Sequence, residues 1–134
     1  MTGIHAFGGL TMLRAFALTA ALWPVAAVAD DLFCSPDTMC IDDDCQAGHD
    51  DHRAITLLDW QSASPVLHTV ESDVTVTRRD KGGLMQWSGR NADNYLETLT
   101  FHPRNGKFSY EFKLEPESAV QRLTARGKCT VQPR

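Results

Sequence analysis

An antiparallel all-β meander, curled into a small barrel or a strongly twisted sheet and stapled by two disulfides, is the fold class this sequence predicts. Three observations carry it. Residues 95–114, YLETLTFHPRNGKFSYEFKL, alternate apolar and polar side chains on either side of Pro103-Arg104-Asn105-Gly106, the pattern of strand, turn and strand. Further short segments repeat that alternation between breaks rich in Gly, Pro, Asn and Ser, and none shows a convincing helical period. Beyond residue 29 stand Cys34, Cys40, Cys45 and Cys129, an even number suited to two bridges in an oxidising compartment.

Residues 1–29 have the layout of a secretory signal peptide: Arg14, the apolar run Ala15 to Leu22, and Ala27-Val28-Ala29 ahead of Asp30. The run is too short to cross a bilayer as a helix. Met12-Leu13-Arg14 offers an alternative start to Met1. The expected product is periplasmic or secreted, free of the membrane after cleavage, and about 105 residues long, enough for one small domain. Within it, 30–53 is expected to be an acidic, Cys-containing loop region and 54–134 the antiparallel β domain.

Net charge is −4, but it is unevenly spread. Eight aspartates, from Asp30 to Asp51, precede the first base of the mature chain, Arg53, and bases outnumber acids from there on. An acidic arm on a mildly basic body results. The surplus is too weak, and too little interleaved with aromatics, to indicate a nucleic-acid partner.

Four cysteines allow three connectivities. Cys34, Cys40 and Cys45 are close in sequence, so one bridge is local and the other ties head to tail. The expected pairs are Cys40–Cys45 and Cys34–Cys129. In the chain-entropy account the long bridge stabilises by about 4.7 kcal/mol and the short one by about 2.

Taken in order, Ala54 to Gln61 suits a strand with Ile55 and Leu57 on one side and Leu58 and Trp60 on the other. Val66 to Val70 is a short apolar run, and Asp73 to Arg79 a strand with Val74 and Val76 alternating against threonines. Asp80-Lys81-Gly82-Gly83 makes a turn, since glycines supply positive φ, and a four-residue loop there sets Val76 opposite Trp87. Leu84 to Ser88 is the return strand, and Asn91-Ala92-Asp93-Asn94 turns into the hairpin. An even loop at 103–106 pairs Phe101 with Phe108 and Leu99 with Tyr110; an odd one would turn the aromatic face to water. Glu115-Pro116-Glu117-Ser118 is a last turn. In the final strand, Ala119 to Val131, the residues Leu123, Ala125, Cys129 and Val131 share the inner face. Arg122, Thr124, Arg126, Lys128 and Thr130 share the outer one, expected to be a solvated face, the alternative being that its three bases complement the acidic arm through exposed pairs worth only about 0–1 kcal/mol each.

Candidate chemistry is sparse. Cys40-x4-Cys45-x3-His49-x2-His52, with Asp50 and Asp51, has metal-ligand character. Zinc prefers thiolate and imidazole, but oxidation would remove both thiolates, leaving His49, His52, Asp50 and Asp51 as candidate ligands of a divalent ion. No Gly-x-Ser-x-Gly elbow is present, and His68 and His102 lie in a strand and at a turn, so no enzyme activity and no cofactor are expected. Glu97 shares its face with Tyr95, Leu99 and Phe101, which places it at a rim or, buried, against a base. Trp87, Ser88, Arg90, Asn91 and Tyr95 form the candidate binding surface, centred on the turn Ser88-Gly89-Arg90-Asn91.

The signal peptide, the Cys-x5-Cys-x4-Cys spacing, the all-β body and Gly127-Lys128-Cys129 together resemble small exported all-β proteins of Gram-negative bacteria that have no assigned function. In size, export and terminal cysteine the chain is also similar to periplasmic lysozyme inhibitors of the small β-barrel kind. Their Ser-Gly-x-Arg-Tyr loop is not reproduced, because Ser88-Gly89-Arg90 is followed by Asn91, and no functional residue is carried over. The expected function is that of a non-enzymatic protein-binding or inhibitor-type module with a periplasmic protein as partner. The alternative is a periplasmic divalent-metal-binding protein using the Asp/His-rich arm.

Overall fold

The computed structural model describes residues 30–47, 54–113 and 122–133. Every regular element among the described residues is a strand: β1 (Asp30–Ile41), β2 (Asp44–Ala47), β3 (Ile55–Leu58), β4 (Val66–His68), β5 (Asp73–Thr75), β6 (Thr77–Lys81), β7 (Leu84–Arg90), β8 (Leu96–His102), β9 (Lys107–Lys113) and β10 (Arg122–Pro133). They form one antiparallel sheet in the order β5-β4-β3-β1-β10-β9-β8-β7-β6, with β2 added beside β1. The expected signal peptide and the turn at 115–118 lie outside the described residues.

The two ends of that order are consecutive in sequence. β5 pairs with β4 and β6 with β7, and only Val76 separates β5 from β6. The segment expected as one strand, Asp73 to Arg79, divides there because its first half bonds to one end of the sheet and its second half to the other. Buried Val76 marks the corner, its N–H donating to the Pro65 carbonyl at 3.0 Å. The sheet is thereby nearly closed into a barrel. Gly89 permits the closure: a Cβ at that position would lie 2.6 Å from the Thr75 carbonyl oxygen and 2.9 Å from Val74 Cγ1.

The hairpin β8–β9 has the expected register, with Phe101 opposite Phe108 and Leu99 opposite Tyr110. Its row continues through Trp87 on β7 and Ala125 on β10, so the inner face is built from side chains two residues apart on each strand. Leu32, Leu57, Leu67, Trp87 and Leu99 are completely buried. Trp60, just past β3, fills the interior edge-on to Trp87 at 6.3 Å and to Phe101 at 6.0 Å. Such aromatic pairs add about 0.5–1.5 kcal/mol beyond their buried area.

Several expectations are corrected. Residues 30–41 are not loop but a twelve-residue strand, flanked by β10 on one side and by β3 and β2 on the other. Leu32, Cys34 and Pro36 point inward, and then the register slips between Pro36 and Thr38. The extra residue, Asp37, breaks the period-two pattern, and a bulge is where a strand tolerates proline. At the second hairpin Lys81 pairs with Leu84 and Arg78, not Val76, lies opposite Trp87. Gly82 and Gly83 both have positive φ, 59° and 83°, which makes a two-residue turn matched to strand twist. The change is two residues, so the inner face is the expected one. Val131, expected inside, is 48% exposed.

Both disulfides, Cys34–Cys129 and Cys40–Cys45, are the expected pairs. Each joins residues directly opposite in a ladder, and the first fixes β1 to β10.

Opposite the bulge sits Gly127. A Cβ there would fall 2.1 Å from the Ser35 carbonyl oxygen and 3.0 Å from the Asp37 nitrogen, both backbone atoms that cannot step aside alone. Gly127→Ala is therefore expected to cost about 2–3 kcal/mol, lowering Tm by roughly 10–20 °C for a domain of this size. A thermal melt indistinguishable from that of the parent would contradict this packing of β1 on β10.

Candidate functional site

Glu97, the second residue of β8, is completely buried. Its Oε1 accepts a hydrogen bond from the Tyr110 phenol at 2.8 Å, and its Oε2 accepts from Ser72 Oγ and Asn91 Nδ2, each at 2.9 Å. Neither sequence-level alternative holds: the carboxylate is not at a rim, and its hydrogen-bonding partners are neutral rather than basic. Asn91 is held for the task, since its Oδ1 accepts from the Asp93 and Tyr95 amides at 3.0 and 3.1 Å. The turn that does this has three residues between paired Asn91 and Tyr95, with Asn94 at φ 67°. Burial, together with the Glu97 carboxylate, holds the Tyr110 phenol well above the usual tyrosine range. With three donors and no solvent, Glu97 fastens β8 to β9, to the β4–β5 turn and to the β7–β8 turn.

The expected binding surface does not assemble. Trp87 lies in the core with no exposure, because its row faces inward. Tyr95 is half-buried, its ring edge-on to Phe112 at 5.7 Å. Asn91 serves Glu97 as above. Ser88 and Thr98 hydroxyls share a 3.2 Å hydrogen bond across β7–β8. Arg90 is exposed and donates from Nη1 to the Asn94 carbonyl at 2.9 Å. Ser88 to Arg90 belong to strand β7 rather than to a displayed turn. The candidate metal ligands His49, Asp50, Asp51 and His52 lie outside the described residues. Among the described residues no group of three or more His, Cys, Asp or Glu is placed to hold a metal. His68 is exposed and hydrogen-bonded to Asp73 directly across β4–β5.

A different surface does assemble, on the outer face of β8, β9 and β10. Lys128 lies directly opposite Lys107, and Lys107 directly opposite His102, so three basic side chains share one row and one face. Arg126, two residues from Lys128, sits opposite Ser109 on β9 and Thr38 on β1. These residues line a shallow depression of about 540 Å³ that runs from Asn105 in the β8–β9 turn to the bulge at Asp37. Among the described residues, Lys107, Arg126 and Lys128 take part in no ion pair, whereas Arg122 pairs with Glu111 at 3.3 Å. Asp37, its carboxylate accepting from Thr38 Oγ1 at 3.1 Å, is the acid in the lining.

Like charges directly opposite in a ladder are destabilising. Lysines are used to guard exposed strand edges, but β9 and β10 are interior strands with neighbours on both sides. The opposed lysines therefore serve neither pairing nor protection of an edge, and the arrangement suits an incoming anion.

Comparison with protein-family models, with curated proteins and with solved structures gives no match. Residue signals for this surface were partial. The outer row of β10, with Arg126 and Lys128, was legible from alternation. Its juxtaposition with Lys107 and His102 depends on the β9–β10 register, which no local pattern encodes.

Proposed function

We propose that the chain is an exported, non-enzymatic binding module, acting in the periplasm or outside the cell, that engages a protein partner through the basic depression on β8–β10. The observation that carries this is the row Lys128, Lys107 and His102 beside Arg126, in which the two lysines and the arginine have no carboxylate partner among the described residues. Two disulfides fit an oxidising, extracytoplasmic setting. The buried state of Trp87 and Trp60 removes the aromatic anchors that dominate tight, apolar interfaces. Recognition then rests on charge, which governs specificity and encounter rate more than raw affinity.

The immobilised protein is expected to retain a partner from an extracytoplasmic extract at low salt, and Lys107→Glu/Lys128→Glu to reduce that capture about tenfold or more. Because both positions are exposed, the change should move stability by no more than about 0.5 kcal/mol. Equal capture by a correctly folded double variant would refute the assignment of this face.

A further inference from the structure

We propose that the group recognised in the depression is an extended acidic segment of the partner, carrying carboxylates at alternate positions. The inference rests on the binding-module reading above and specifies its ligand.

The cations set the spacing. Lys128 and Lys107 are directly opposite, with Cβ atoms roughly 5 Å apart as in any antiparallel pair, so one carboxylate can bridge them and relieve their repulsion. Arg126 is two residues along β10 on the same face, roughly 6.7 Å away at strand rise. That is also the distance between side chains i and i+2 of an extended segment. A peptide lying along β10 with acids two apart places one carboxylate on the lysine pair and the next on the Arg126 guanidinium. One pair further on, the outer face carries Thr124 opposite Glu111, whose carboxylate and Arg122 pair with each other at 3.3 Å, so among the described residues no unpaired cation waits there for a third acid and the match is limited to two.

The remaining lining favours an extended backbone over a helix. Ser109 lies directly opposite Arg126, offering a hydroxyl donor that an extended segment's free carbonyls can use, whereas a helix has already committed its own. Helix recognition also needs an apolar groove, and the large exposed apolar side chains among the described residues, Ile41, Val70 and Val131, do not line this depression.

The test uses the oxidised protein and two isomeric peptides, acetyl-Ser-Asp-Ser-Asp-Ser-amide and acetyl-Ser-Asp-Asp-Ser-Ser-amide, titrated at low salt by amide chemical-shift perturbation, with inorganic phosphate in a parallel arm. The alternating peptide is expected to bind about fivefold tighter or more than its isomer, shifting amides at 107–109 and 126–128. Arg126→Gln should erase that preference while leaving weaker binding at the lysines. Lys107→Glu should abolish binding yet raise Tm by roughly 2–4 °C, because it turns a repulsive pair into an attractive one. Equal affinity for the two isomers, absence of binding, or phosphate binding tighter than either peptide each overturns the inference. If any of these occurs while Lys107→Glu/Lys128→Glu still loses the natural partner, the binding face stands and only its ligand class falls; if capture is also unchanged, both fall.

Discussion

Replacing Cys34 and Cys129 together by alanine should lower the unfolding free energy by about 4–5 kcal/mol, more than twice the loss of about 2 kcal/mol expected for Cys40→Ala/Cys45→Ala. The difference comes from chain length, because the first bridge spans 95 residues of sequence and the second 5. A cross-link over most of the chain removes far more freedom from the unfolded ensemble than one over a tight loop. The native side works in the same direction. Cys34 is fully buried and Cys129 is 8% exposed, so truncation also opens space between β1 and β10. Around Cys40–Cys45 the four residues of β2 are all exposed. Urea titration of both double variants measures this directly, with the m-value reporting any expansion of the unfolded state. Equal losses from the two would mean that loop closure does not govern stability here.

Glu97→Ala is expected to cost about 3 kcal/mol or more. Three hydrogen bonds disappear, and each donor left without an acceptor in the interior costs about 1–3 kcal/mol. Glu97→Gln keeps the shape but turns an amide donor toward groups that already donate, so its cost should be smaller, about 1 kcal/mol. If the alanine variant melts like the parent, the cluster does not hold the strands together. The same cluster governs behaviour in alkali. Tyr110 is raised above the ordinary tyrosine value of 10.0, chiefly by burial and then by the Glu97 charge. A group raised in the folded state contributes stability that is complete below its unfolded pKa and is lost as pH climbs beyond it. Stability should thus fall above about pH 10. In a Tyr95→Phe background, tyrosinate absorbance should rise together with loss of near-UV circular dichroism; a phenol that ionises while the fold persists would show Tyr110 to be solvent-accessible.

How much of this was legible beforehand depended on whether the information was local. The hairpin around 103–106 follows from alternation and loop parity, and the structure has its register. Spacing requires one local bridge and one from head to tail but leaves three connectivities open; the structure has the favoured one, Cys40–Cys45 with Cys34–Cys129. β1 escaped because the bulge at Asp37 shifts its inward residues from even positions to odd ones, and Pro36 reads as a breaker. The second turn was drawn two residues too wide because Asp80 and Lys81 look like turn residues although they pair in the ladder. Glu97 was misplaced for a different reason. Its donors come from Ser72, Asn91 and Tyr110, which lie 25, 6 and 13 residues away, so nothing near it announces a satisfied interior acid. The aromatic surface does not form because the strand Leu84 to Ser88 extends to Arg90, so the expected turn at Ser88 to Asn91 is largely ladder, and the row of Trp87, with Leu99, Tyr110 and Ala125, faces the core.

The corner at Val76 has a consequence for how this protein behaves in company. By handing one stretch of chain to both ends of the sheet, it leaves little free ladder on which a foreign strand can grow. Among the described residues, beside the three-residue end strand β5, what remains is the outer side of β6, Thr77-Arg78-Arg79-Asp80-Lys81, and that of β2, Asp44-Cys45-Gln46-Ala47, both fully exposed. Five residues bearing four charges, and four residues pinned by a disulfide, make poor templates for fibril growth. A nearly closed sheet of this kind should stay dispersed at concentrations where an open sheet of equal size would recruit its neighbours.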